Sequence, residues 1–123
     1  MSLSVRIGFL HENARADFVA RFLPKLPGSR LTAEETADEG EEAAYPYHVT
    51  LDVSSPTAAR DLCRQFVAFL SHHKNSGLHV EWPDHEGKPQ TSQLAGTAAK
   101  DAELLAVRLG ASIRAARDRA EQE

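Results

Sequence analysis

Histidine and carboxylate side chains alternate along two stretches of the sequence, and such side chains can bind metal ions or transfer protons. His48 and Asp52 lie in the stretch 45–53, and His79 and Glu81 lie in the stretch 78–82. The members of each pair are an even number of residues apart, so on a β-strand they share one face. If the two strands were neighbours, the four side chains would form one cluster. Such a cluster could bind a divalent metal ion or a small ligand, or transfer protons.

The same alternation has a plainer interpretation, because any sheet with one solvated face needs polar residues at every second position. No phosphate-binding glycine loop, Gly-x-Ser-x-Gly elbow or His-Glu-x-x-His motif is present in the sequence. The single cysteine, Cys63, falls on the apolar stripe of a predicted helix, which indicates a buried side chain rather than a nucleophile. We therefore predict no catalytic residue and no cofactor. An enzyme that uses His48, Asp52, His79 and Glu81 stays open as the alternative.

The elements that would position these residues follow from hydrophobic periodicity. Alternating apolar residues predict strands, and apolar residues repeating at three and four positions predict helices. The predicted strands cover residues 4–10, 29–32, 45–53, 78–82 and 88–94, and the predicted helices cover residues 13–23, 57–73 and 98–120. Asn13 and Ser55 are the expected N-caps of the first two helices. In the strand 45–53, Tyr45 is expected on the same face as Val49 and Leu51.

This order of elements, β-α-β-β-α-β-β-α, predicts an α+β fold. We expect a ferredoxin-like sandwich with a mostly antiparallel sheet of four to five strands and helices packed on one face. Trp82 is in phase with Leu78 and Val80 and is therefore expected in the core. The last helix has a narrow apolar face, so its C-terminal part is expected either to project into solvent or to pack on a second copy.

Composition and charge limit the class of protein. A chain of 123 residues with 41% hydrophobic and 26% charged residues is typical of a single globular domain. The net charge of −4 argues against nucleic acid or an anionic membrane as a partner. With no apolar run of about 18 residues and no signal peptide, we predict a cytoplasmic protein. Residues 33–44 carry acidic side chains without a Lys or Arg, which predicts a mobile acidic loop.

The second half of the chain resembles the effector-associated constant component family. The residues that carry the resemblance are a helix pattern at 59–74, Leu-His-Val-Glu-Trp at 78–82, Asp-His-Glu-Gly-Lys at 84–88, Leu94 and Asp-Ala-Glu-Leu-Leu at 101–105. In that family an amphipathic helix with a basic end precedes a hairpin and a further helix. The resemblance implies a small non-enzymatic companion of effector and NTPase components in bacterial conflict systems.

Three functions are therefore weighed. The first is a non-catalytic protein-interaction or adaptor module, which docks through the acidic residues Glu39, Glu41 and Glu42 and through Arg114 and Arg117 on the last helix. Its partner is expected to be a protein, a second copy in a homodimer, or both. The second is the ligand- or metal-dependent enzyme described above. The third is an immunity-like inhibitor, whose acidic segment would bind a basic site on a toxin.

Overall fold

One five-stranded antiparallel sheet organises the chain. A computed structural model describes residues 3–37, 45–73, 77–84, 86–95 and 99–122, and within the last range the side chains of residues 100–118. The strands are β1 (Leu3–Phe9), β2 (Ser29–Thr36), β3 (Tyr47–Val53), β4 (Gly77–Pro83) and β5 (Pro89–Ala95). The helices are α1 (Glu12–Asp17), α2 (Pro56–His72) and α3 (Ala99–Gln122). None of the described helices is long and apolar enough to cross a membrane.

The strand order is β2-β3-β1-β4-β5, and every neighbouring pair is antiparallel. Strand β1 therefore lies at the centre, between β3 and β4. The first four strands with the helical segments between them follow the β-α-β-β-α-β order of ferredoxin-like domains, and β5 and α3 extend it. The α+β class predicted from the periodicity is confirmed.

The core lies between the sheet and the helices. Alternate residues of the three central strands are buried on that side: Leu3, Val5, Ile7 and Phe9 of β1, Val49, Leu51 and Val53 of β3, and Leu78, Val80 and Trp82 of β4. The residues between them point to the opposite side, which we call the open face. Trp82 is 2% exposed, so its expected place in the core is confirmed.

Helix α2 begins where its sequence signals place it. The Ser55 side chain accepts a hydrogen bond from the backbone N–H of Ala58 at 3.1 Å, and Pro56 occupies the first turn. The buried stripe consists of Ala58, Ala59, Leu62, Cys63, Phe66, Phe69 and Leu70. Burial raises the pKa of the Cys63 thiol to about 12, so this cysteine is a packed side chain rather than a reactive thiolate.

The first helical segment differs from its prediction in two ways. It begins at Glu12 after His11, which has extended backbone angles and makes no side-chain capping bond, so the predicted Asn13 cap is wrong. The α-helical turns end at Asp17 and continue as a π-helical turn, Phe18–Phe22, and a 3-10 turn, Leu23–Lys25. Phe18 and Phe22 are buried in this turn, with their rings stacked 6.1 Å apart. The aromatic core therefore continues through the change of helix type.

Strand β2 is twice as long as predicted and includes the start of the acidic segment. Residues 33–36, predicted as part of a mobile loop, pair with β3 in register, for example Glu35 with His48. The weak β propensity of this stretch is overridden because the β3 edge offers backbone partners and the carboxylates stay exposed. Residues 38–44, the rest of the predicted loop, lie outside the described residues.

The turn between β4 and β5 depends on Asp84 and Gly87. The Asp84 carboxylate accepts hydrogen bonds from the backbone N–H of Glu86 at 2.8 Å and of Lys88 at 2.9 Å. Gly87 has a φ of +83°, a backbone region that favours glycine. The predicted hairpin is thus present, and its turn is held by the aspartate rather than by the strands alone.

Gly28 packs tightly where the chain enters β2, and we expect Gly28→Ala to lower the free energy of unfolding by about 1–3 kcal/mol. A Cβ atom at this position would lie 2.5 Å from the Ala58 Cβ. Gly110→Ala is the matched control, because a Cβ there would meet nothing closer than the Pro56 Cβ at 3.5 Å. Inside helix α3 that change should stabilise by about 0.5–1 kcal/mol. Urea unfolding of both variants measures the contrast, and equal effects would contradict it.

Candidate functional site

The open face brings the four sequence-predicted residues onto one side of the sheet but not into one cluster. His48 pairs with Gly8 of β1 on one side, and Gly8 pairs with His79 on its other side. The condition for a cluster, that β3 and β4 are neighbours, is not met, because β1 lies between them. Two strand spacings separate the backbones of His48 and His79, which is about 10 Å. The order of strands, which depends on non-local pairing, therefore separates His48 and Asp52 on β3 from His79 and Glu81 on β4.

His48 sits in a polar network rather than on an open surface. It is only 2% exposed, and its Nδ1 lies 3.4 Å from Nη2 of Arg6. The Arg6 guanidinium also lies 3.8 Å from the Glu35 carboxylate on β2. The same nitrogen of Arg6, Nη2, therefore lies near the buried imidazole on β3 and near the carboxylate on β2. This arrangement ties neighbouring strands together on the side without helices.

Tyr45 covers the space between the two histidines. Its ring centroid lies 5.7 Å from that of His79, with the planes tilted by 30°. A Cβ atom at Gly8 would lie 2.9 Å from the Tyr45 Cβ, and one at Gly77 would lie 2.9 Å from the Tyr45 hydroxyl oxygen. The tyrosine thus lies on the open face, and its prediction on the core side is wrong. Tyr45 precedes β3, so the alternation along that strand does not reach it.

The two carboxylates of the predicted cluster have separate surroundings. Asp52 forms an ion pair with Arg30 of β2 at 3.1 Å. Glu81 pairs in register with Arg6 and lines a shallow depression beside the β4–β5 turn. Among the residues described by the structure, no group of three or more His, Cys, Asp or Glu side chains is placed to hold a metal ion. The open face is best described as a set of cross-strand polar contacts.

The outer side of helix α3 has a different character. Its inner side is buried through Ala102, Leu105, Leu109 and Ile113. On the opposite side Leu104 is 60% exposed and Val107 is 66% exposed, and these are the large exposed hydrophobic side chains of the described chain. Ala111, four residues after Val107, lies on the same side of the helix and is also exposed. We call Leu104, Val107 and Ala111 the outer stripe.

Charged residues border the outer stripe. Lys100 and Asp118 lie at its two ends, and Glu103, Arg114 and Arg117 flank it, all exposed. Arg114 and Arg117 were predicted to bind a partner, and the structure places both on this surface. The other three predicted partner-binding residues, Glu39, Glu41 and Glu42, lie outside the described residues.

The apolar face predicted for α3 is its buried side, and Leu104 and Val107 were not predicted as functional residues. The sequence nevertheless contains a second row of apolar residues, spaced three and four apart, on the side opposite Leu105 and Leu109. A helix that packs against the domain on one side needs only one row of apolar residues. A second row therefore indicates a surface that contacts something else.

A separate contact joins the first helical segment to the end of α2. The Nε2 atom of His73 lies 2.6 Å from the Asp17 carboxylate, and Arg21 bonds the same side chain at 3.2 Å. The hydrogen bond to His73 is the largest cause that holds the pKa of Asp17 below its usual value, and Arg21 adds to it against the opposing effect of desolvation. This contact joins the C-terminal end of α1 to the C-terminal end of α2.

The lowered pKa of Asp17 predicts a pH dependence. Because the folded pKa is depressed, the pair adds stability above the unfolded-state pKa of about 4 and loses it as the pH falls through the folded value. We expect Asp17→Asn to lower the free energy of unfolding by about 0.5–1 kcal/mol at pH 7, since the pair is partly solvated. The difference from wild type should shrink as the pH falls below about 4 and vanish once the pH is below the folded pKa. Glu12→Gln, at an exposed position, is the control, and a pH-independent difference would contradict the assignment.

With this geometry established, the chain was compared with protein-family models, with curated proteins and with solved structures, and none of the three comparisons found a match.

Proposed function

We propose that this chain is a non-catalytic protein-interaction module that docks through the outer side of α3. The observation that carries the proposal is the exposure of Leu104 and Val107, at 60% and 66%, on a helix whose opposite side is buried from Ala102 to Ile113. Large apolar side chains next to each other on a surface mark contact sites in soluble domains. A helix lying against a partner through such a row is a recurring mode of recognition.

The surroundings of the outer stripe fit a protein partner. Exposed charges of both signs, including Glu103 and Arg117, rim the apolar centre, as is typical of interfaces between proteins. The partner is a different protein, a second copy of this chain, or both. The resemblance of residues 59–105 to the effector-associated constant components supports a role as a companion of an effector or NTPase in a bacterial conflict system.

Differential capture tests this function. A tagged chain carrying Leu104→Glu and Val107→Glu is compared with wild type in the cells that naturally make it. The control carries Ala16→Glu and Ala20→Glu, two exposed small residues on the first helical segment. We expect proteins, including untagged copies of the chain, to be retained by wild type and by the control and lost with the α3 variant. Equal recovery with all three chains would contradict the proposal.

A further inference from the structure

The exposed residues of α3 follow a heptad pattern. Starting at the N-terminal end, the side chains that point away from the sheet recur at alternating steps of four and three residues. These side chains belong to Lys100, Leu104, Val107, Ala111, Arg114 and Asp118, and all six are exposed. This is the spacing with which one helix packs along another in a coiled coil. The row, which we call the seam, extends over most of the 24-residue helix, or about 27 Å.

The seam of one copy is complementary to the seam of a second copy that runs in the opposite direction. In an antiparallel pair centred on Leu109, Val107 of one copy faces Ala111 of the other, and Lys100 faces Asp118. Apolar residues therefore meet in the middle, and opposite charges meet at both ends. Next to the seam, Glu103 faces Arg117 of the second copy in the same arrangement. In a parallel pair each residue of the seam would face its own copy, so like charges would meet at Lys100, Arg114 and Asp118.

We infer that the partner docked on the outer side of α3 is a second copy of this chain, with the two α3 helices antiparallel. The inference rests on the proposed function and names its partner. Three apolar side chains from each copy form the centre: Leu104, Val107 and Ala111. The aliphatic stem of Arg114 covers Leu104 of the other copy, while its guanidinium reaches solvent.

The expected strength of the pair follows from its size. A single pair of helices buries an area at the low end of specific interfaces, which is typical of reversible contacts. We therefore expect a dissociation constant in the micromolar range. The two sheets would lie on opposite sides of the helix pair, so both open faces and both β5 edges stay accessible in the dimer.

Cysteine trapping tests the direction of the helices in the full chain. In the antiparallel pair residues 100 and 118 of different copies are adjacent, whereas the two copies of residue 100 are about 27 Å apart. Purified Lys100→Cys and Asp118→Cys chains are oxidised separately and as an equimolar mixture. The buried Cys63 in both chains serves as an internal control. We expect a disulfide-linked dimer in the mixture and not in either chain alone. A dimer from Lys100→Cys alone, or none in the mixture, would overturn the inference.

A charge exchange tests the flanking contacts independently. Glu103→Arg and Arg117→Glu are each expected to raise the dissociation constant about three- to tenfold, since each places like charges together twice in the dimer. The double variant Glu103→Arg/Arg117→Glu should restore the wild-type value, and a further loss in the double variant would overturn the assignment. A chain that stays monomeric but still loses a protein partner with the Leu104→Glu/Val107→Glu change would refute this inference and leave the proposed function intact.

Discussion

Replacing Phe18 with alanine is expected to lower the free energy of unfolding by about 3–5 kcal/mol. Phe18 is fully buried, and its ring centroid lies within 6.1 Å of four other rings, those of Phe9, Phe22, Phe66 and Phe69. Aromatic pairs contribute beyond the area they bury, so several such contacts are lost at once. Small domains are stable by only about 5–15 kcal/mol, and the variant should therefore be marginally folded.

Urea unfolding measures the loss at Phe18, with the single tryptophan, Trp82, as the fluorescent probe. Phe18→Leu is the matched control, because it keeps most of the volume while removing the ring. We expect the control to lose about 1–1.5 kcal/mol. If alanine and leucine destabilise equally, the ring cluster contributes less than its geometry indicates.

The second large effect is expected at Trp82, which joins the sheet to α3. Its indole N–H donates to the Ser112 hydroxyl at 3.2 Å, and the Arg108 guanidinium lies 4.7 Å from its ring centroid. Arg108 also bonds the Gln90 side chain and the Thr91 carbonyl of β5, at 3.4 Å each. Trp82→Ala should cost about 3–5 kcal/mol and loosen α3 against β4 and β5.

Hydrogen exchange measures this loosening element by element. In Trp82→Ala the amides of β1 and β3 should exchange faster by the global loss of stability, and those of α3 should be accelerated beyond that loss because the helix also opens locally. Trp82→Phe retains an aromatic ring but leaves the Ser112 hydroxyl without its donor, so a smaller loss of about 1–2 kcal/mol is expected. Uniformly faster exchange in every element would show that Trp82 stabilises the whole domain rather than the position of α3.

The elements that local sequence determines were predicted well. Helix α2 begins within one residue of its prediction, because Ser55 and Pro56 supply both the cap and the first-turn signal. The hairpin at Asp84 is likewise local, since the aspartate and Gly87 determine the turn. The periodicity also identified the buried residues of β1, β3 and β4, because a sheet with one packed face imposes strict alternation.

The features that depend on distant contacts were not predictable in the same way. Residues 33–36 form a strand because β3 offers them an edge, not because of their own propensity. The separation of His48 from His79 depends on β1 inserting between their strands, and nothing near either histidine encodes it. Tyr45 lies outside the alternating run, and its position depends on Gly8 and Gly77 leaving space for it. The outer stripe of α3 was recognisable as a second apolar row once the first was assigned to the core.

Light scattering over a range of concentrations tests most directly the central claim, that the outer side of α3 joins two copies of the chain. The wild-type mass is expected to rise from the 13.5 kDa of one chain toward twice that value, and Leu104→Glu/Val107→Glu should stay at one chain throughout. Ala16→Glu/Ala20→Glu should follow wild type. A wild-type mass that remains at one chain, or a variant that associates as wild type does, would contradict the claim.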